Sequence, residues 1–410
     1  MKIVYLLQNG SDMRKPPFDG PAIHVHHVIK ELEALGHSVK FIIGINHRIY
    51  LSSDLIEYKE IKTPQLETGF PRFVERVLRK IQTILHLPYA GYFESRRFAQ
   101  ACINHADGAD LLFERLSWMG YGSVFAAQQL RIPLVIEYNG DPLHDLEAKQ
   151  MDPKGLQRIL STFLLRYTLN KADFLIASGN GWRTNLITKW NIPSQKIEVI
   201  ENGTDLISLL EQKDIKNFSQ TDPDSINTVK IVYLGGFYPW HGTKTLITAF
   251  ARCKPNFPNS ELILIGAGTG FNEAKSLVSQ LGLEQFVTFT GQIPAQEYAP
   301  ILANADIGVS PYCNWIEYSG LKLFDYKAAG LAIIASGEND NPKTLTHDQT
   351  GLIIPPCDEE VLIQALSHLL NDPQKRQKLG QNARHEAEQK HTWKMTGQHI
   401  DQVLRKQLKI

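Results

Sequence analysis

Cysteine is scarce in this sequence. Its 410 residues hold four, Cys102, Cys253, Cys313 and Cys357, far apart and with no Cys-x-x-Cys spacing. That argues against a disulfide framework or a metal cluster and fits a reducing compartment. Neither charge is in excess: Lys+Arg and Asp+Glu number 43 each, so no global field draws the chain to nucleic acid, and electrostatic binding must be local. No apolar run approaches membrane-spanning length. The first such run, IVYLL, is too short for a signal peptide and reads as an opening strand. A cytoplasmic protein is the expectation. The single Asp-x-Asp, Asp222 to Asp224, falls in a polar stretch away from any strand end and reads as chance.

What is present is a strand–helix alternation, twice over. A chain this long exceeds one ordinary core, and two domains of ~200 residues each are the natural division. In the first half KIVYLLQ, SVKFIIG, ADLLFER, PLVIEYN, DFLIAS and IEVIEN read as strands buried on both faces, with helices such as HVHHVIKELEALGH between them. Residues 206–228 turn polar and read as a linker. The pattern restarts with VKIVYLGG, ELILIGAG, QFVTFTG, DIGVSP, LAIIAS and GLIIPP. Two such units predict two Rossmann-like doubly wound parallel sheets, over 1–205 and 229–390, facing across a cleft in the GT-B arrangement.

The most informative stretch is EYSGLKLFDYKAAGLAIIAS, residues 317–336. An acidic residue, a small-residue turn, a helix with a second acidic residue, then Gly330 and a buried strand follow in order. A helix starting near Ser319 leaves the N–H groups of Ser319, Gly320, Leu321 and Lys322 as an anion site. Asp325 then lies roughly 9 Å further along, at ~1.5 Å rise per residue. Phosphates on the tip and a ribose on the acid suit a nucleotide; a capped surface helix is the alternative. GGFYPWHG, between the strand KIVYL and the helix TKTLITAF, is a Gly-rich turn through which Gly235 and Gly236 admit a phosphate close to the backbone. Gly20 has the same part in PFDGPA, after the first strand. The histidines that follow it, His24, His26 and His27, lack a matching carboxylate or cysteine and read as surface residues.

Taken together, EYSGLKLFDYKAAG, the Gly20 loop with its helix, VIENGTDL (Asn202, Gly203, Asp205) and YLGGFYPWHGTKTLITAF resemble the family-four retaining glycosyltransferases, in matching order over about residues 1–390. The resemblance implies a donor site for a nucleoside-diphosphate sugar, with no metal and no other cofactor, and a glycan or lipid-linked acceptor. It implies that Glu317 contacts the donor sugar, that Asp325 holds the ribose, and that Ile293, in FTGQIP, lies by the base. It also implies that the last helix, 391–408, crosses back onto the first domain. The chain departs from the family pattern at four places. Asp325 replaces a Glu, Gly236 stands at an Arg position, His241 at a Lys position, and Asn139 at a His position beside the reacting sugar. His241 then supplies a hydrogen bond and, when protonated, a charge. Lys322 or Lys244 is the other source of fixed charge. Asn139 is either a site residue or a turn former. The departures keep two alternatives open, a nucleotide-sugar epimerase and a non-catalytic nucleotide-sugar-binding subunit.

One segment stands apart. In PRFVERVLRKIQTILHL, Phe73, Val77, Ile81, Ile84 and Leu85 share a helix face, with Arg72, Arg76, Arg79 and Lys80 among them. Such a helix either docks on an anionic membrane surface, giving a peripheral place on the inner face, or packs its apolar side into the core with its basic side in water.

Overall fold

The computed structural model describes residues 1–16, 18, 20–148, 150–212, 228–313, 320–338 and 342–408. The chain divides into two compact units: Met1–Glu201 with Gly397–Ile410, and Asn202–Thr396.

The first unit is built on a sheet whose strands are β1 (Lys2–Leu7), β2 (Ser38–Ile45), β3 (Arg48–Ser52), β4 (Lys59–Ile61), β5 (Leu111–Arg115), β6 (Leu134–Tyr138), β7 (Phe174–Ala177) and β8 (Ile197–Val199), in the order β4-β3-β2-β1-β5-β6-β7-β8. Its helices are α1 (Gly20–Ala34), α2 (Pro64–Glu67), α3 (Gly69–Ile84), α4 (Tyr92–His105), α5 (Gly122–Leu130), α6 (Pro142–Ala148), α7 (Gly155–Lys171) and α8 (Asn180–Thr188). The six expected strands are present and parallel, because runs such as IVYLL and LLF bury both faces. β3 and β4 are additional, and both pair antiparallel at one edge of the sheet. The strand order reverses between β2-β1 and β5, the switch point at which such sheets bind ligands.

The second unit repeats the plan with β9 (Val229–Leu234), β10 (Ser260–Ile265), β11 (Val287–Gly291), β12 (Ile307–Ser310), β13 (Ala332–Ser336) and β14 (Leu352–Ile354), ordered β11-β10-β9-β12-β13-β14. All its described pairings are parallel. Its helices are α9 (Leu206–Gln212), α10 (Thr243–Cys253), α11 (Phe271–Gln280), α12 (Ala295–Ala303), α13 (Leu321–Ala329), α14 (Glu359–Asn371) and α15 (Pro373–Lys390). The switch point here lies between β9 and β12. α9 occupies the start of the segment read as linker: Leu206, Ile207 and Leu210 are buried in the second unit's core, so this stretch is a packed helix. Residues 213–227, with Asp222 and Asp224, lie outside the described residues.

The last helix, α16 (Trp393–Leu408), begins in the second unit and from Gly397 belongs to the first. There Ile400 and Leu404 are buried, His37 bonds Asp401 at 2.8 Å, and Lys406 meets Glu198 at 3.0 Å. Two parallel-sheet α/β units of this kind make the GT-B fold.

Candidate functional site

At the second unit's switch point, the turn after β9 and the start of α13 converge. Gly235 has φ +147°, and a Cβ added there would lie 2.9 Å from the Lys322 ammonium, so glycine keeps this approach open. Gly242, at φ +66°, is demanded more strongly still: a Cβ would fall 1.5 Å from the Pro311 carbonyl oxygen. Its left-handed backbone ends the single turn Pro239–His241 and starts α10. The turn places His241 so that its Nδ1 meets the Gly236 carbonyl at 2.6 Å, a bond in which the imidazole N–H donates. Tyr233 donates to the same carbonyl at 2.5 Å.

Lys322 reaches this turn from the first turn of α13. It is buried, and its Nζ sits 4.7 Å from the Tyr233 ring centroid and 4.6 Å from that of Tyr312. Two aromatic faces can hold a desolvated ammonium in place. Burial and the neighbouring Lys322 charge push the His241 imidazole down to about 3. In the ligand-free site the imidazole is therefore neutral. With Nδ1–H committed to Gly236, neutral His241 offers only the Nε2 lone pair, an acceptor. The fixed positive charge at the turn is Lys322. Lys244 is exposed and paired to Glu273 at 2.5 Å.

Helix α13 starts two residues later than the sequence reading placed it, with Gly320 at the N-cap and the Leu323 N–H closing on the Gly320 carbonyl at 3.0 Å. The first described N–H groups of the helix are those of Gly320, Leu321 and Lys322, with Ser319 outside the described residues. Gly330 ends the helix at φ +74°, as expected. Glu317 and Ser319 lie outside the described residues.

Asp325 lies ~6 Å along the helix from Leu321. Its Oδ1 accepts from the Thr204 hydroxyl at 2.6 Å and its Oδ2 from the Tyr298 hydroxyl at 3.0 Å. Burial raises this carboxyl to about 7, helped by the charge of Asp205 and opposed by the Thr204 hydroxyl. Asp325 thus ties the Asn202–Asp205 segment and α12 to α13. Each oxygen keeps a second lone pair for a ligand. Ile293 follows β11 and packs partly buried against the core containing Tyr326 and Leu302.

In the first unit, the carboxyl ends of β5, β6 and β7 carry a polar set that sequence reasoning found only at Asn139. Arg115 Nη1, Ser117 Oγ, both amide atoms of Asn139 and Ser178 Oγ are buried without a hydrogen-bond partner among the described residues. These residues end three neighbouring strands. Buried polar atoms left over in this way mark a place for water or ligand. The signal was available, since each residue sits at or just past the end of a recognised strand. Gly20, at the start of α1, lies in the same unit.

His24 is not a surface residue. It is 4% exposed and donates through Nε2 to Glu137 at 2.8 Å, while the Tyr5 hydroxyl donates to the other oxygen at 2.6 Å. Burial alone would raise Glu137, yet His24, Arg115 and Tyr5 take it down to about 2. His26 is half-buried, stacks on Phe18 and bonds the Ala22 carbonyl at 2.7 Å. His144 and Glu147 pair with each other at 3.6 Å in a half-exposed position, with Arg158 on Glu147.

Helix α3 is turned the opposite way from a core-packing helix. Among its residues only Glu75 is buried, gripped by Arg97 at 2.7 Å, Arg72 at 2.9 Å and Arg79 at 2.8 Å, and Arg79 reaches on to Glu94. The polar edge faces the protein. Phe70, Phe73, Val77, Ile81 and Ile84 are exposed. No described helix is long and apolar enough to cross a membrane.

Comparison with known proteins agrees with both units. Residues 19–203 match the family model "Glycosyl transferase 4-like domain" and residues 211–386 match "Glycosyl transferases group 1". A GDP-mannose-dependent α-(1-6)-phosphatidylinositol monomannoside mannosyltransferase of Mycolicibacterium smegmatis is 25% identical over 59% of this chain and 61% of its own. A phosphatidylinositol N-acetylglucosaminyltransferase subunit of Saccharomyces cerevisiae is 22% identical over 83% of this chain and 69% of its own. Among solved structures, the Anabaena protein HepE in complex with UDP-glucose superposes with TM-score 0.67 at 19% identity, covering 99% of this chain and 100% of that one. Sucrose-phosphate synthase of Thermosynechococcus elongatus does so with TM-score 0.69 at 21% identity, covering 99% of each chain. The chain has the GT-B fold and belongs to the glycosyltransferases of the family-four type, with a 4-like first unit and a group 1 second unit.

Proposed function

We propose that this protein moves a sugar from a nucleoside-diphosphate sugar to a glycan or lipid-linked acceptor, with retention of anomeric configuration and without a metal ion. The observation that carries the reading is the buried Lys322 ammonium poised over the Gly235–Gly236 turn at the second unit's switch point. Transfer needs the leaving diphosphate stabilised as its bond to the sugar breaks. Lys322, the α13 tip and the open glycine turn supply a fixed charge and N–H donors, the electrostatic kind of help that often dominates. The donor belongs on the second unit, with Asp325 and the Ile293 loop toward the nucleoside; the family resemblance alone assigns Glu317 and Ser319, outside the described residues, to the sugar and phosphates. The acceptor belongs on the first unit, toward Asn139. As the sugar–phosphate bond breaks, the acceptor oxygen bonds to the anomeric carbon on the same face, and a phosphate oxygen takes its proton.

The UDP-glucose complex of the Anabaena protein supports a nucleotide-sugar donor, and the relatives named for phosphatidylinositol acceptors support a lipid-linked one. The exposed apolar face of α3, with Arg76 and Lys80 exposed beside it, supports a peripheral place on an anionic membrane. The test incubates the purified chain with a panel of nucleotide sugars, with and without glycan and lipid acceptors, in the presence of a chelator. Acceptor-dependent release of nucleoside diphosphate, and a product of the donor's anomeric configuration, are expected. Interconversion of the donor without acceptor would overturn the reading in favour of an epimerase.

A further inference from the structure

Helix α7 carries a second apolar face that the body of the first unit leaves uncovered. Leu156, Ile159 and Phe163, spaced to share one face, are each more than 60% exposed, and Met151 just before the helix is 68% exposed. The opposite face is the packed one, through Ser161, Leu165, Thr168 and Leu169. A helix presenting three large apolar side chains to water on one stripe is costly unless something apolar covers it.

Two observations say what covers it. The first is position. The Gln157 side chain clamps Tyr89, accepting from its N–H at 2.6 Å and donating to its carbonyl at 2.9 Å. Tyr89 closes the segment that leaves α3, in which Leu85 and Leu87 are also exposed. Apolar exposure therefore continues from α3 to the first turn of α7. The second is charge. The sequence GLQRILSTFLLRYTLNK holds no acidic residue; of its basic residues Arg158 is paired to Glu147, which leaves Arg166 and Lys171. Lys154, at its N-cap, and Arg166 are exposed. A second copy of this chain would set these cations against their like; an anionic surface would not.

We propose that α7 is a second lipid-contacting element, and that Leu156, Ile159 and Phe163 enter the interface of an anionic bilayer beside α3. The proposal rests on the membrane reading of α3 and goes beyond it, because it makes the docking surface bipartite. Two contacts fix the orientation of a domain on a membrane, where one helix alone leaves it free to roll. Apolar insertion and basic residues near the headgroups act together in such contacts.

The experiment uses the full chain and vesicles of phosphatidylcholine with and without phosphatidylglycerol. Three variants are compared: Leu156→Gln with Ile159→Gln and Phe163→Gln on α7; Phe73→Gln with Ile81→Gln on α3; and Phe163→Trp as a conservative reporter. Partitioning onto anionic vesicles is expected to fall roughly tenfold for the α7 variant and for the α3 variant, with unchanged thermal melting, as lost apolar insertion implies. The Phe163→Trp chain, read as a difference from its parent, is expected to shift its emission to the blue on anionic vesicles and to be quenched by brominated lipid. Loss of partitioning in the α3 variant alone, with the emission of the introduced indole unmoved, would overturn the α7 proposal and leave α3 standing. Undiminished partitioning in both would sink the two readings together. A change from dimer to monomer in the α7 variant, with vesicle binding intact, would assign the stripe to a second copy and also overturn the proposal.

Discussion

The Lys322 ammonium and the His241 imidazole face the same glycine turn, and the first adds to burial in keeping the second neutral. Burial and the nearby ammonium hold His241 neutral, and its Nδ1–H is spent on the Gly236 carbonyl. One fixed cation and one neutral acceptor therefore stand where a pair of cations was the family expectation. Under the proposed function the work divides: Lys322 is assigned to phosphate, while His241, bonded to the Gly236 carbonyl, shapes the turn.

Lys322→Ala is expected to weaken binding of a free nucleoside diphosphate by ~1.5–3 kcal/mol, the range for a hydrogen bond to a charged group. Lys244→Ala, which removes an exposed partner of Glu273, is expected to change it little. Calorimetric titration of the two variants reads the difference. Equal losses would return the phosphate charge to both lysines.

His241 titrates far below neutrality in the ligand-free site. A bound diphosphate raises it, because nearby negative charge favours the protonated form, but the rise starts from about 3. Between pH 6 and 8, as ordinary assay limits, kcat is expected to show no alkaline decline that His241→Gln removes. His241→Ala is expected to lower kcat at every pH without reshaping the profile. A decline abolished by His241→Gln would restore the imidazolium.

The strands were legible because β-branched runs such as KIVYL and LAIIA bury both faces and admit few other readings. β3 and β4 were not, since RIYLS and KEI are short antiparallel edge pieces without that continuous apolar character. The Lys322 cluster was half visible. Its glycines and lysine stand in motifs, whereas the aromatic seat made by Tyr233 and Tyr312 joins residues distant in sequence. The Thr204–Asp325 bond spans 121 positions and leaves no local mark. Amphipathic spacing in α3 showed two faces, but the grip of Arg97 on Glu75 and of Arg79 on Glu94 decides which one meets the protein.

Asn139 offers a direct separation of site residue from turn former. Both of its amide atoms are buried without a partner among the described residues, so they add no hydrogen bond to stability. Asn139→Ala is expected to leave the melting temperature unchanged or slightly higher, and to lower kcat by roughly tenfold or more, as loss of a site hydrogen bond does. Thermal melting and initial rates on one preparation check it. A large loss of stability with kcat intact would make Asn139 a turn residue.

Glu75 should show its role on acidification. Burial would raise this carboxyl, but Arg97, Arg79 and Arg72 bring it down to about 2. A depressed carboxyl gives stability that is present above its unfolded value near ~4.3 and is lost as pH falls through the folded value. Proteolysis within α3 is expected to begin below about pH 4 in the parent, and already at neutral pH in Glu75→Ala, where three guanidinium groups lose their common partner. Cleavage equally slow in both at neutral pH would show that α3 is held by other contacts.

Asp325 carries the opposite sign. Its folded carboxyl is raised to about 7, chiefly by burial, so between pH 4 and 7 the folded chain holds a proton there that the unfolded chain has released. Stability from this group therefore falls as pH rises through that window, and is fully present only below the unfolded value. Asp325→Asn keeps a polar amide opposite the Thr204 and Tyr298 hydroxyls and removes the titration. Denaturant melts are expected to show the variant gaining on the parent by ~1–3 kcal/mol between pH 5 and pH 8. Nucleotide binding separates the remaining roles. If Asp325 also holds the ribose, Asp325→Asn weakens binding of the nucleoside diphosphate at pH 8 by ~1.5–3 kcal/mol while stability rises. If affinity is unchanged and only the pH profile of stability flattens, Asp325 is a brace between Thr204 and Tyr298 and the ribose is held elsewhere.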